Sequence, residues 1–379
     1  MVEVKRLLDL RKELEKKSCF LFGPRQTGKS WLIRHSLKNC RTYNLLDSET
    51  YLTLGRSPQR LREEASPKER IVVIDEIQKL PGLLDEIHRL IEEGKIHFLL
   101  TGSGARKLRR GGVNLLGGRA RTKYLHPFSY AELKENFDLT KALNHGLLPP
   151  IYFSGEPEED LKAYVGTYLK EEVAAEGFTR NIPAFSRFLE VASLCNSRLI
   201  NYAKISNDAQ VARSTVQEYF SILKDSLLAW EVPAWRKSRK RKPITTSKLY
   251  FFDPGVVRFL QNRNPVKKGS PEFGEALETY FFHELKTFAH YQSAGEIAYW
   301  RSVSGYEVDF ILADSLAVEV KASRNVGPQD LVGLRALQEE RAVKHYVVVS
   351  LEERRRTVNQ IRIFPWKEFL EDLWSGKFK

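Results

Sequence analysis

Over residues 1 to about 130, short apolar runs alternate with stretches whose apolar positions recur at helical spacing. The runs are Cys19–Phe22, a weaker Arg41–Leu46 ending at Asp47, Ile71–Ile74 and Ile96–Leu100. Such alternation predicts a parallel sheet wrapped by helices. Ahead of it, Met1 to Lys17 is heavily charged, with Val4, Leu7, Leu8 and Leu14 at helical spacing, and predicts an amphipathic helix leading into the first strand. Residues 131–180 read as helices broken by Leu148-Pro149-Pro150 and Gly155-Glu156-Pro157, in the manner of a lid or connector.

Beyond residue 184 the periodicity continues in shorter pieces. Phe185, Phe188, Leu189, Ala192 and Leu194 form one stripe, and Tyr202–Ile205 predicts a second, shorter helix. Ser214 reads as the N-cap of a third, with Val216, Tyr219, Phe220 and Leu223 on one face and Arg213, Thr215, Gln217 and Glu218 on the other. Leu227–Ala234 and Ile244–Phe252 predict two strands around Arg236-Lys237-Ser238-Arg239-Lys240-Arg241-Lys242. Two short helices, a longer one with a polar face and a basic hairpin are the parts of a winged helix-turn-helix, which binds DNA. From residue 272 a helix, Glu275–Leu285, precedes strands Glu307–Leu312 and Leu316–Lys321, which turn at Ala313-Asp314-Ser315. The chain thus divides into an α/β parallel-sheet domain (1–135), a helical connector (136–180), a winged-helix domain (181–264) and a second α/β domain (265–379).

The first candidate chemistry lies directly after the first strand. Gly23-Pro24-Arg25-Gln26-Thr27-Gly28-Lys29-Ser30 fits the P-loop pattern, whose glycines let successive backbone N–H groups face a polyphosphate. Lys29 would reach the β- and γ-phosphates of ATP, and the Ser30 hydroxyl would hold Mg²⁺. Ile71–Ile74 runs into Asp75-Glu76, which puts acid at the C-terminal tip of a central strand, where open α/β sheets bind ligands. Asp75 would lie near the magnesium and Glu76 would polarise the attacking water; Asp75 as the N-cap of a following helix explains the same residues. Ser103 or Thr101, at the tip of the fourth run, could contact phosphate or water, or could form an ordinary turn. Arg119, in the glycine-rich basic stretch from Arg109 to Arg121, could neutralise charge in cis or from a neighbouring copy in a homo-oligomer, or could simply be solvated.

Charge adds a partner. The chain carries a net charge of +13, and six of the seven residues from 236 to 242 are basic. Six phosphate contacts would give a salt slope of about −5. A solvated charge run and an anionic membrane surface remain alternatives at this segment. The three cysteines are widely spaced and the eight histidines form no cluster, which argues against a disulfide framework and a structural zinc site and suits the cytoplasm. No apolar run of about 18 residues exists, so no membrane span is expected. In the last domain Glu319 and Lys321 share a strand face, with Asp309 opposite across the hairpin and Glu278 on the helix. Carboxylates and a lysine converging there would suit a hard divalent cation, Mg²⁺ or Mn²⁺, with Lys321 near an activated water. A cross-strand ion pair on a solvated hairpin accounts equally for these residues.

Taken together, several stretches resemble a prokaryotic family of AAA+-type P-loop ATPases that carry a winged helix and end in a PD-(D/E)XK nuclease-like domain. They are Phe22–Ser30, Val73–Gln78, Leu100–Ser103, Leu116–Arg119, Pro127–Tyr130, Tyr250–Gly255 and the Glu307–Asp309 and Glu319–Lys321 pairs. The resemblance implies an ATP site of Lys29, Ser30, Asp75 and Glu76, and a nuclease-like motif of Asp309, Glu319 and Lys321 with Glu278 as its helical acid. Gly104 departs from the family's pattern, where a second serine often stands, and this favours Ser103 as the polar sensor. Asp253-Pro254-Gly255 reads as a structural turn. The expected activity is Mg²⁺-dependent ATP hydrolysis coupled to DNA binding, with metal-dependent cleavage at the C-terminal domain; the alternative is a nucleotide-gated DNA-binding switch whose nuclease-like domain is an interaction platform.

Overall fold

The structure, a computed structural model, describes all residues except 1–2, 66–68, 95, 105–107, 109–115, 169–180 and 379. Arg109 to Gly112 of the basic loop therefore lie outside the described residues. The chain divides into two compact units: Lys5–Pro127 with Asp225–Leu228, and Met1–Val4, Phe128–Lys224 and Ala229–Lys379.

In the first unit, strands β1 (Ser18–Phe22), β2 (Arg41–Asn44), β3 (Ile71–Asp75), β4 (His97–Gly102) and β5 (Ala120–Tyr124) form one all-parallel sheet in the order β2-β3-β4-β1-β5. The central strands are apolar on both faces because helices cover both, among them α1 (Lys29–Ser36) and α2 (Leu83–Glu92). Leu83, Leu84, Ile87 and Leu90 are the buried positions of α2. The edge strand β5 has no apolar run to announce it, since its side chains are half-buried or exposed. At the N-terminus the expected long helix shrinks to Leu10–Leu14. Val4, Arg6 and Leu8 are buried while Lys5 and Leu7 are exposed, a period of two that belongs to extended chain.

The second unit contains the short helices Tyr130–Leu133, Leu139–His145, Pro149–Tyr152 and Pro157–Ala163, then α3 (Ile182–Leu194), α4 (Tyr202–Ala209) and α5 (Arg213–Asp225) around Phe185, Phe188, Tyr219 and Phe220. Leu194 falls off the predicted stripe and is 49% exposed. Helix α5 starts two residues earlier than predicted: Val216 N–H already bonds Ala212 O, so Ser214 lies inside the helix. An antiparallel pair, β6 (Ala229–Val232) and β7 (Lys248–Phe251), follows. Next come α6 (Pro254–Leu260), α7 (Pro271–Gln292) and a six-stranded sheet. That sheet comprises β8 (Ile297–Arg301), β9 (Glu307–Leu312), β10 (Leu316–Val320), β11 (His345–Ser350), β12 (Arg356–Val358) and β13 (Ile361–Pro365), ordered β12-β13-β11-β10-β9-β8. Val347 and Val349 face the α7 side, where Phe281, Phe282 and Phe310 pack, whereas Val348 joins Trp300, Leu334 and Leu337 on the other. The β9–β10 hairpin turns through Ala313 and Asp314, at φ 51° and 57°.

Buried polar groups fix this unit. Asp253 caps α6 by accepting from Val256 N–H at 3.0 Å and also accepts from Leu147 N–H at 2.7 Å. A side chain at Gly255 would strike the His145 carbonyl, so the turn needs glycine. Glu284 of α7 accepts from Tyr130 N–H (2.6 Å), Tyr280 O–H (3.0 Å) and Trp374 Nε1–H (3.0 Å). Its neighbour His283 lies 2.9 Å from Phe128 O, so the Phe128–Tyr130 stretch is docked on α7 by consecutive side chains.

Burial lifts the Glu284 carboxyl to about 7, although the Tyr130, Trp374 and Tyr280 donors pull it down. A carboxyl whose folded pKa exceeds its unfolded one contributes stability that is complete below the unfolded value and is lost as pH rises through the folded value. Relative to Glu284→Gln, the wild-type chain is expected to lose about 2–3 kcal/mol between pH 5 and 8. Urea unfolding across that range checks it, and parallel curves for the two proteins would refute the assignment.

Candidate functional site

The C-terminal tips of β1, β4 and β3 lie side by side: Phe22 is in register with Gly102, and Ile74 with Leu100. The P-loop leaves β1 at that edge. Gly28, at φ 91°, occupies the N-cap of α1, a conformation that suits glycine. A Cβ at Gly23 would collide with Leu125 O, so the loop lies tight against the backbone after β5. Pro24 and Thr27 are buried, the Thr27 hydroxyl donating to Pro24 O at 2.8 Å, while Arg25, Gln26 and Ser30 are exposed. Lys29 is buried, and its ammonium donates to Gly23 O at 2.7 Å and Pro24 O at 3.0 Å. The cradle thus holds its cation at the loop.

Opposite the loop, Ser30 Oγ stands 3.5 Å from Asp75 Oδ2, and Thr101 Oγ1 donates to Asp75 Oδ1. The same hydroxyl accepts Glu76 N–H at 3.2 Å. Because β4 lies between β1 and β3, Thr101 is the residue that ties the acid pair to the sheet. Ser103, the preferred candidate, is buried two residues further on; the contacts to Asp75 and Glu76 are made by Thr101. Glu76 has φ 62°, an uncommon conformation for a residue with a Cβ. Its Oε2 accepts from Gln78 Nε2. Burial raises the Glu76 pKa, against a lowering by Lys29, and Asp75 adds to the rise.

Two placements were not visible in the sequence. Arg6 is buried and donates from Nη1 to Thr27 O (2.7 Å) and from Nη2 to His126 O (2.6 Å), bracing the P-loop from behind. Its only sequence signal is an arginine at a buried position of the two-residue alternation. Arg119 precedes β5, whose first residue pairs with Ser18 at the start of β1, so it lies at the opposite end of the sheet from the P-loop. There it pairs with Glu92 at 2.5 Å. This register sets Arg119 away from the P-loop of its own chain.

In the second unit, Glu319 Oε1 pairs with Lys321 at 2.7 Å, and Asp309 Oδ2 accepts from Val320 N–H at 2.8 Å. The hairpin therefore brings Asp309, Glu319 and Lys321 together. The centre of the acids is held by Lys248 of β7, which the charge run before it concealed. Its ammonium lies 2.5 Å from Glu307, 3.6 Å from Glu278 and 3.9 Å from Asp309. Burial disfavours its charge, but Glu278, Asp309 and Glu307 outweigh that and raise its pKa. Burial and the adjoining acids raise Glu278 to about 7 and also raise Asp309 and Glu319, while Glu319 and Asp309 push Lys321 up to about 12 against burial. Among the described residues no group of three His, Cys, Asp or Glu side chains is arranged to hold a metal ion. Of the expected cation ligands Glu278, Asp309 and Glu319, the first two face the Lys248 ammonium and the third pairs with Lys321.

The basic segment also differs from a free hairpin tip. Ala234 and Pro243 bridge to Tyr299 and Ser302, beside the second sheet. The buried Glu340 carboxylate accepts the backbone N–H groups of Arg239 (2.7 Å), Lys240 (2.8 Å) and Arg241 (3.1 Å). Arg241 pairs with Glu339 at 2.7 Å and Lys237 with Asp314 at 2.6 Å. Arg236, Arg239, Lys240 and Lys242 are exposed; on α5 so are Arg213 and Gln217, with Thr215 half-buried.

Residues 15–134 match the family profile of the AAA domain; residues 136–267 and 273–369 match two domains of unknown function, DUF8612 and DUF4143. No curated protein matches the chain in sequence. Among solved structures, the Aeropyrum pernix ORC1 protein in complex with DNA is 14% identical over 67% of this chain and 93% of that one, at a TM-score of 0.27. A Signal Transduction ATPase with Numerous Domains protein with a tetratricopeptide repeat sensor, from Pyrococcus horikoshii, is 15% identical over 76% of this chain and 45% of that one, at a TM-score of 0.24. Scores this low carry no argument about the chain. The profile match and the loop-and-acid geometry define the first unit as a P-loop AAA-type ATPase domain.

Arg6→Ala removes the brace on Thr27 and is expected to raise the Kd for ATP about tenfold, a loss of about 1.4 kcal/mol. Calorimetry checks this. Unchanged affinity in a folded variant would show that the loop needs no support from the N-terminal segment.

Proposed function

We propose that the protein hydrolyses ATP with magnesium and couples its nucleotide state to DNA binding through a winged helix. The Ser30–Asp75–Thr101–Glu76 network facing the P-loop carries the reading. Lys29 would leave the carbonyls of Gly23 and Pro24 for the β- and γ-phosphates, and the N–H groups of the loop from Gly23 to Ser30 would enclose them. Ser30 and Asp75 are hard oxygen donors that suit magnesium, which when bound offsets phosphate charge. Gln78 holds one Glu76 oxygen, which leaves the other to orient the attacking water and accept its proton. Arg119 is reserved for a neighbouring copy, and the exposed Leu46, Tyr51 and Leu52 give the ATPase unit an apolar patch for self-association. Among the described residues no helix is long and apolar enough to cross a membrane.

DNA would meet Arg213, Thr215 and Gln217 on α5 and the exposed cations at 236, 239, 240 and 242. Glu340 supports this reading by fixing the backbone of the basic segment, so its exposed side chains project from an ordered loop. With Arg241 and Lys237 already paired, phosphate contacts fall from six toward four.

Glu76→Gln is expected to bind ATP with near wild-type affinity and to lower turnover at least about a hundredfold. Phosphate release with parallel calorimetry checks it, and wild-type turnover would remove Glu76 from the chemistry. For duplex DNA of arbitrary sequence, log affinity against log salt is expected to slope at about −3.6 for the basic segment's four free cations. Titrations at several salt concentrations, compared with a chain lacking those four charges, check it; an unchanged slope would sink the DNA assignment of this segment.

A further inference from the structure

We infer that Lys248 takes the place of a divalent cation in the acidic cluster of the second sheet, so that the cluster is a closed ion-pair lock that binds no metal. The inference is independent of the ATPase reading, since the lock lies in the other unit. Its first support is position. The ammonium comes from β7, outside the sheet, and stands within 3.9 Å of Glu307, Glu278 and Asp309 at once. Its side chain is 4% exposed. A lysine removed that far from water keeps its charge only where acids surround it, and here they do.

The second support is the use already made of the carboxylate oxygens. Asp309 Oδ2 accepts Val320 N–H, Glu278 Oε1 accepts the Tyr250 hydroxyl at 2.5 Å, and Glu319 Oε1 is taken by Lys321. Glu307 is shared between Lys248 and Arg301, the latter at 3.4 Å. A hard divalent cation takes about six oxygens, of which protein carboxylates supply at least one or two and water the rest. In this cluster one carboxylate oxygen, Glu319 Oε2, is buried without a hydrogen-bond partner among the described residues. A doubly charged ion entering there would also face Lys248 and Lys321 at close range.

Third, the lysine is not a side chain that swings aside freely. Its strand pairs with β6 through Val232↔Lys248, and Lys248 also bridges to Leu199. Leu249 N–H bonds Arg198 O, and Ile200 N–H bonds Ser247 O. The Tyr299 ring lies 5.4 Å from the ammonium. Backbone ladders on both sides thus deliver the charge to the acids. The C-terminal sheet is on this account a platform locked to the β6–β7 hairpin, not a phosphodiesterase.

The test uses the full, nucleotide-free chain. In EDTA, Asp309→Asn is expected to lower Tm by about 4 °C or more, because Lys248 loses a counter-charge while the amide oxygen can still accept Val320 N–H. A metal site emptied by EDTA behaves oppositely, since removing one of several crowded acids relieves repulsion; an equal or higher Tm overturns the inference. In Mn²⁺ titrations the wild-type chain is expected to show no Asp309-dependent binding. Lys248→Met is expected to bind Mn²⁺ at least tenfold more tightly, and the Lys248→Met/Asp309→Asn chain to lose that gain. Wild-type Mn²⁺ binding abolished by Asp309→Asn, or a folded Lys248→Met chain with no gain, overturns it. If Lys248→Met does not fold, the EDTA comparison decides. ATP affinity measured alongside reports on the P-loop separately.

Discussion

A charge taken out of water must find a partner, and in this chain the partners are far away in sequence. Arg6 reaches the carbonyls of Thr27 and His126, Glu284 the amide of Tyr130 and the indole of Trp374, and Glu340 three amides of the basic segment. Lys248 reaches Glu278, Glu307 and Asp309. Apolar packing would tolerate small shifts at each of these places; a buried ion would not. Leaving one unpaired costs about 3–5 kcal/mol, a large part of the about 5–15 kcal/mol by which a domain is stable. These contacts therefore specify which segment docks where, while the valines and phenylalanines around them supply most of the driving force.

The nucleotide site follows from the same constraint combined with strand order. Placing β4 between the P-loop strand and the acid-tipped strand puts a hydroxyl, Thr101, at the position where Asp75 and the Glu76 amide both need a partner. The left-handed backbone at Glu76 is held by that amide bond and by Gln78, so the second acid is aimed by hydrogen bonds despite its conformational cost. The sheet also sets distances within the unit. The two ends of β1 lie four residue steps apart, about 13 Å, and Arg119 is beyond the far one.

Much of this was legible locally. The P-loop spacing, the apolar runs of β1, β3 and β4 and the carboxylates at the tip of β3 are properties of neighbouring residues, and the structure places them together at one sheet edge. The hairpin turning at residues 313–315 was also readable, because small and polar residues between alternating runs leave few other choices. What failed to show depends on pairing at a distance. β5 is an edge strand with no apolar signature, Thr101 matters because of strand order, and Arg6 is one basic residue in a charged segment. The errors have a common origin too: Leu194, Ser214 and the N-terminal helix were assigned from spacing, and tertiary packing chose a different boundary or period.

The segment from Arg236 to Lys248 shows why charge alone misleads. In sequence its cations are equivalent, and the net charge of +13 counts them equally. In the folded chain Arg236, Arg239, Lys240 and Lys242 face solvent, Lys237 and Arg241 are spent on Asp314 and Glu339, and Lys248 is buried among acids. The first group is available to a polyanion and its contribution is screened by salt; the last is shielded from both. A carboxylate under the loop, Glu340, makes the division possible, because it binds the backbone amides of Arg239, Lys240 and Arg241 and leaves the Arg239 and Lys240 side chains exposed. One short run thus serves two ends: an outward array suited to phosphates and an inward charge that fastens the hairpin to the sheet.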